Sequence, residues 1–206
     1  MRGELQRLIH QPEQWSELQS CPLFLVSIDM PSDFSQDHFT LFGLPRRYGL
    51  DMAELDRLYR ELLTRVHPDK HVHLSDAEQR LAMQWATHAN EAYQTLRQPL
   101  KRAQYLLHLA GVDVQLERNT AMPPDFLVQQ MEWRETVAEV RSAGDSLALE
   151  DLHRRIKKEI AGQFERLKSH LDLKPDYQAA AATVRQMMFQ EKLLQEIDDA
   201  LVELEA

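Results

Sequence analysis

The sequence predicts an all-α fold: an N-terminal part built on an antiparallel helix pair, followed by a C-terminal three-helix bundle. Three observations predict it. The chain has 206 residues, is 43% hydrophobic and holds only 6 glycines, with Leu, Ala, Glu, Gln and Arg in plenty; these are helix formers. Apolar residues recur at steps of three and four through several long segments, the spacing that lines one face of a helix. Helix starts and stops are marked by Asp, Ser, Gly and Pro where such residues cap or break helices.

The first helix of the pair begins after Asp51, an N-cap residue, with Glu54 in the capping-box position. Its apolar stripe is Leu55, Leu58, Tyr59, Leu62, Leu63 and Val66. Arg57, Arg60, Glu61 and Arg65 occupy the remaining surface, a face more positive than negative. Pro68 stops this helix, because the residue before a proline is pushed out of the α region. Ser75 with Glu78 offers a second capping box, and Leu81, Trp85, Ala89, Ala92, Tyr93 and Leu96 form the next stripe. A short connection makes the two helices antiparallel neighbours. Before them stands the apolar stretch "HFTLFGLP", and after them "KRAQYLLHLA", ended by Gly111.

Residues 111–123 read as a polar linker, and Pro123–Pro124 announce a new start. Three helical patterns follow in 124–206. The first runs from about Asp125 to Ala143 and stops at Gly144. The second carries Leu149, Leu152, Ile156, Ile160, Phe164, Leu167 and Leu171. The third starts after Pro175 and carries Tyr177, Ala181, Val184, Met187, Leu194, Ile197, Leu201 and Leu204. Residues 1–36 read as an extension without an assignable role; "CPLFLVSIDM" fits a short strand or a loop, and Met30 offers an alternative start.

The net charge is −9. Residues 37–110 are near neutral, whereas the C-terminal part is strongly acidic. Such a chain is a poor phosphate binder, so no nucleic-acid partner is expected. The longest apolar run, "LFLVSI", is too short to cross a bilayer. Cys21 is the single cysteine, which makes a reducing, cytoplasmic compartment the default. No cofactor is expected, and the chain lacks the thiolates that would hold an iron–sulfur cluster.

The stretch "VHPDKH" carries the chemistry worth weighing. His67 and Asp69 offer a base and a carboxylate, but one proline separates them and no activated nucleophile or phosphate loop accompanies them. His67, His71 and His73 suggest a metal, but Pro68 prevents the i, i+4 placement on one helical turn. A stiff contact loop is the third reading, since Pro68 fixes its own φ and lowers the entropy cost of binding. Taken alone, these residues favour an ordinary helix–helix turn over the contact loop.

The combination of "HFTLFGLP", "HPDK" and "NEAYQTLRQPLKRAQYLL" resembles a J-domain, and the last stretch is similar to the HscB-type co-chaperones of iron–sulfur cluster biogenesis. The resemblance spans about residues 37–206. It implies no catalysis by this chain itself. It implies that His67, Pro68, Asp69 and Lys70, flanked by Arg57, Arg60 and Arg65, dock on an HscA/DnaK-type chaperone and trigger its ATPase. It also implies a surface for the iron–sulfur scaffold protein IscU. The first bundle helix has Phe126, Trp133, Val137 and Val140 for the core, yet Leu127, Val128 and Met131 fall on another side. Glu132, Glu135 and Glu139 run beside them, and Phe189 falls off the main stripe of the last helix. These seven are the expected scaffold-binding residues. A helical adaptor with an incidental His-Pro-Asp turn is the rival reading.

Overall fold

The computed structural model describes residues 34–66, 75–114 and 122–205. The chain divides into two units, Met1–Phe34 and Ser35–Ala206. The second is entirely helical among the described residues. Its elements are α1 (His38–Leu41), α2 (Met52–Val66), α3 (Asp76–Arg97), α4 (Pro99–Leu109), α5 (Pro124–Ala143), α6 (Ser146–Lys168), a π-helical turn (Ser169–Leu173) and α7 (Tyr177–Glu205). The stretch read as strand or loop, with Cys21 and Met30, lies outside the described residues, as do His67 to Leu74.

Local signals act where the sequence places them. The Ser75 hydroxyl accepts from the Glu78 amide while the Glu78 carboxylate accepts from the Ser75 amide at 2.9 Å. Asp51 accepts from the Ala53 and Glu54 amides, capping α2. Gly111 and Gly144 end α4 and α5 with φ of 73° and 70°, a left-handed conformation that costs a residue with a Cβ but not glycine.

Helices α2 and α3 are antiparallel. Tyr59 donates to Asn90, Tyr93 donates to Asp56, and the two rings stack 3.9 Å apart. Phe39, Phe42, Leu55, Ala92, Tyr93 and Leu96 form the core of this part. Asp37 closes it at the front, accepting from the Phe39 and Thr40 amides and pairing with Arg46 at 2.7 Å.

In the C-terminal part, α6 runs antiparallel to α7, with His153 beside Asp198 and Gln190 donating to Glu159. Helix α5 runs parallel to α7: Phe126 meets Phe189, Arg134 pairs with Glu196, and Arg141 pairs with Glu203. Helix α4 follows the α2–α3 pair in the chain, yet it packs on α7 and places Leu100, Ala103 and Leu107 in the same core as Leu149, Ile156, Val184 and Ile197. The two parts of this unit thus share apolar surface.

A polar contact reinforces the junction. The Asp172 carboxylate, in the π-helical turn, accepts from the Tyr48 amide at 2.6 Å and the Gly49 amide at 2.7 Å. Arg102 lies over the Tyr48 ring at 5.0 Å and donates to the Leu96 carbonyl. Burial holds the Tyr48 hydroxyl un-ionised, pushed up to about 12. A Cβ on Gly49 would approach the Asp172 Oδ2 to 3.2 Å, so glycine allows the close approach.

Two predictions follow from this geometry. Asp172→Ala removes a charged acceptor from two backbone donors and is expected to cost about 2–3 kcal/mol in denaturant unfolding; Asp172→Asn is expected to cost less. Burial raises the Asp37 carboxyl, but bonds from Arg46 and Thr40 outweigh it and hold the group at about 2. Its folded value lies below the ordinary 3.8, so its contribution is present above pH 3.8 and fades as pH falls toward about 2. Acid unfolding of Asp37→Asn, set beside the parent, is expected to lose that part of the pH dependence.

Candidate functional site

On α2, Arg57, Arg60 and Arg65 are all exposed, as the pattern requires. Arg57 is not an open cation. Its Nε and Nη2 donate to the two Glu54 oxygens at 2.9 and 2.6 Å, and Nη1 donates to Glu61 at 2.5 Å. These bonds, from Glu54 first and then Glu61, raise the Arg57 pKa, and the Arg57 bond lowers that of Glu54. Glu54, expected to close a capping box on Asp51, is thus engaged by Arg57. The positive character of this face rests less on Arg57 than its spacing suggests. His67, Pro68, Asp69 and Lys70 follow the last residue of α2 in the chain and lie outside the described residues, as do His71 and His73. Among the described residues, no group of three His, Cys, Asp or Glu side chains is placed to hold a metal.

The second cluster is on α5. Phe126 and Trp133 are buried, and Val137 and Val140 pack on the core. Leu127, Val128 and Met131 are 45%, 55% and 69% exposed. Burying a large apolar side chain stabilises by roughly 1.5–3 kcal/mol, so leaving three exposed together forgoes a considerable gain. The pairs Arg134–Glu196 and Arg141–Glu203 mark the side of α5 that faces α7. At 100° per residue, Leu127 and Met131 lie toward that flank. Glu132 and Glu139 turn the other way, with Val128 and Glu135 between. All three glutamates are exposed.

Phe189 is partly buried, its ring edge-on to Phe126 at 6.5 Å. The α7 stripe read from the sequence also omits Leu193, which is fully buried, in favour of Leu194, which is partly so. Sequence reasoning missed three further features. Gln130 lies beneath the patch, 6% exposed, with neither amide atom bonded. Arg185 is buried one turn before Phe189. Asp172 holds the junction. The i, i+4 relation of Arg185 to Phe189 was the one visible signal.

Comparison with known proteins supplies the family. A profile described as the DnaJ domain matches residues 37–105, and one described as the HSCB C-terminal oligomerisation domain matches residues 122–198. A co-chaperone protein HscB homolog of Aromatoleum aromaticum is 52% identical over 85% of this chain and 99% of its own length. One from Ralstonia nicotianae is 53% identical over 83% of this chain and 97% of its own. Among solved structures, chaperone HscB from Vibrio cholerae superposes with a TM-score of 0.71 at 34% identity, covering 82% of this chain and 99% of the other. Human co-chaperone protein HscB gives 0.75 at 28% identity, covering 81% and 82%. The helical architecture, the two profiles and relatives matched over nearly their whole length agree: the chain belongs to the HscB family of J-domain co-chaperones.

Proposed function

We propose that this co-chaperone stimulates the ATPase of an HscA/DnaK-type chaperone and brings to it an IscU-type scaffold during iron–sulfur cluster assembly and transfer. The chaperone-directed role falls to residues 37–110 and the scaffold-directed role to residues 124–206, with 111–123 connecting them. The observation that carries the reading is the exposed triad Leu127, Val128 and Met131 on a helix whose opposite face is already core. An amphipathic helix has one apolar stripe for its own bundle. A second stripe, beside Phe189 and rimmed by Glu132, Glu135 and Glu139, suits a protein partner with apolar anchors and basic flanks.

On the chaperone side, His67, Pro68, Asp69 and Lys70 supply a stiffened polar contact. Arg57, Arg60 and Arg65 would set orientation and association rate toward an acidic surface rather than bulk affinity. The protein performs no bond-breaking step in this scheme; the ATP is hydrolysed by the chaperone. The single cysteine fits a cytoplasmic setting.

Steady-state ATPase of the cognate chaperone tests the first half. Addition of this protein with scaffold is expected to raise turnover, and His67→Gln to return it to the rate of the chaperone alone. Stimulation surviving His67→Gln would overturn the mechanism. For the second half, Leu127→Ala and Phe189→Ala are each expected to weaken scaffold binding by about 1–3 kcal/mol in calorimetry. Parental affinity in a folded double variant would retire the patch.

A further inference from the structure

The C-terminal part is acidic, yet α6 carries a dense run of positive charge. Residues 154–158 read RRIKK, and Arg154, Arg155, Lys157 and Lys158 are all exposed around the buried Ile156. Arg154 pairs with Asp151. Arg155, Lys157 and Lys158 make no ion pair or side-chain hydrogen bond among the described residues. Arg154 and Lys158 stand four apart, a spacing at which like charges weaken a helix. One turn beyond Lys158, Ala161 and Gly162 are exposed. Glycine inside a helix destabilises it relative to alanine. A Cβ on Gly162 would meet nothing within 4 Å, so the fold itself does not require glycine there.

The same chain carries matching acids. Glu132, Glu135 and Glu139 are exposed on α5 and make no ion pair among the described residues. Contacts with α7 set the level of the two stretches. Arg134 meets Glu196, and His153 meets Asp198 two residues further along α7. Glu135 is therefore level with the start of RRIKK to within about one turn. Phe126 meets Phe189 and Glu159 meets Gln190, which puts Val128 level with Lys158 and about one turn from Gly162. Val128 is 55% exposed. Helices α5 and α6 are antiparallel neighbours.

We propose that the outward faces of α5 and α6 form a self-association surface, with α5 of one copy lying over α6 of a second. A two-fold axis along the helices, between α5 and α6, produces this exchange. It leaves every level unchanged, so Glu132 and Glu135 of one copy meet the RRIKK stretch of the other, and the contact occurs twice. Val128 comes over the low ground of Ala161 and Gly162. A second copy fits better than an extended polyanion, which the net charge of −9 repels. The profile matching residues 122–198 is described as an oligomerisation domain and names no surface. The interface covers Val128, Glu132 and Glu135, so self-association competes with the scaffold; this consequence rests on the scaffold-binding reading above.

Sedimentation equilibrium of the full chain, over a range of concentrations at low and high salt, tests the surface. A reversible dimer that salt dissociates is expected. Arg155→Glu with Lys158→Glu, and separately Glu132→Lys with Glu135→Lys, are each expected to give a monomer where the parent is dimeric, with the thermal unfolding midpoint kept. Mixed together, the two double variants are expected to form a one-to-one dimer, because each supplies the charge that the other lost. A parent that stays monomeric overturns the proposal. So does a dimer indifferent to both double variants, or a mixture that fails to associate. A monomeric parent that needs Arg155 and Lys158 to bind the chaperone or scaffold assigns the face to another acidic protein and also overturns it. For the competition, an IscU-type scaffold is titrated into the dimeric parent and into Arg155→Glu with Lys158→Glu, which leaves α5 intact. The variant is expected to bind more tightly, by the factor that dimerisation withholds. Equal affinity removes the competition and leaves the dimer. Scaffold binding by neither removes the scaffold-binding reading and the competition with it.

Discussion

The middle of α7 is the constraint on which the rest of the larger unit depends. From Ala180 to Gln190 no residue of this helix is exposed. Helices α4, α5 and α6 close around it, and Ala180 and Ala181 let neighbours approach. A helix packed by three neighbours cannot shift relative to one of them without disturbing the others, because interiors are close-packed. The α4 contact therefore ties the first part of the unit to the bundle through apolar surface, and Asp172 adds direction at the same junction. Both proposed docking regions are held by that one framework: α4 follows α3 after Gln98 alone, and α5 lies directly on α7.

Much of this was legible in the sequence, where one element sufficed to define a feature. Ser75 and Glu78 sit three residues apart, and their reciprocal bonds need nothing else. Gly111 and Gly144 close helices by their own backbone freedom. The apolar triad of α5 could be read because Phe126 and Trp133 already use the buried side, leaving Leu127 and Met131 without a place in the core. The resemblance carried by "HPDK" and "AYQTLRQPLKRAQYLL" agrees with the family.

What escaped the sequence depends on distant partners. Asp172 meets backbone more than a hundred residues away, from a π-helical turn that no periodic pattern announces. The stripe of α7 drifts because its neighbours change along its length, so Leu193 is the deeper residue where constant spacing selects Leu194. Arg57 reads as a free positive charge only when its own helix is ignored, since Glu54 and Glu61 lie within one turn on either side. The 7% exposure of Arg185 likewise depends on neighbours that the local sequence does not name.

The shared core also bears on how such a molecule is inherited. A segment that folds alone can be cut out and grafted onto other proteins as a finished part. Here the stretch ending at Leu109 carries Leu100, Ala103 and Leu107 on a face finished only by α7. Detached, that face would be a sticky stripe inviting aggregation. The residues that let α4 seat against α7 thus work against domain shuffling, and the two halves are expected to travel together through genomes as a single heritable unit.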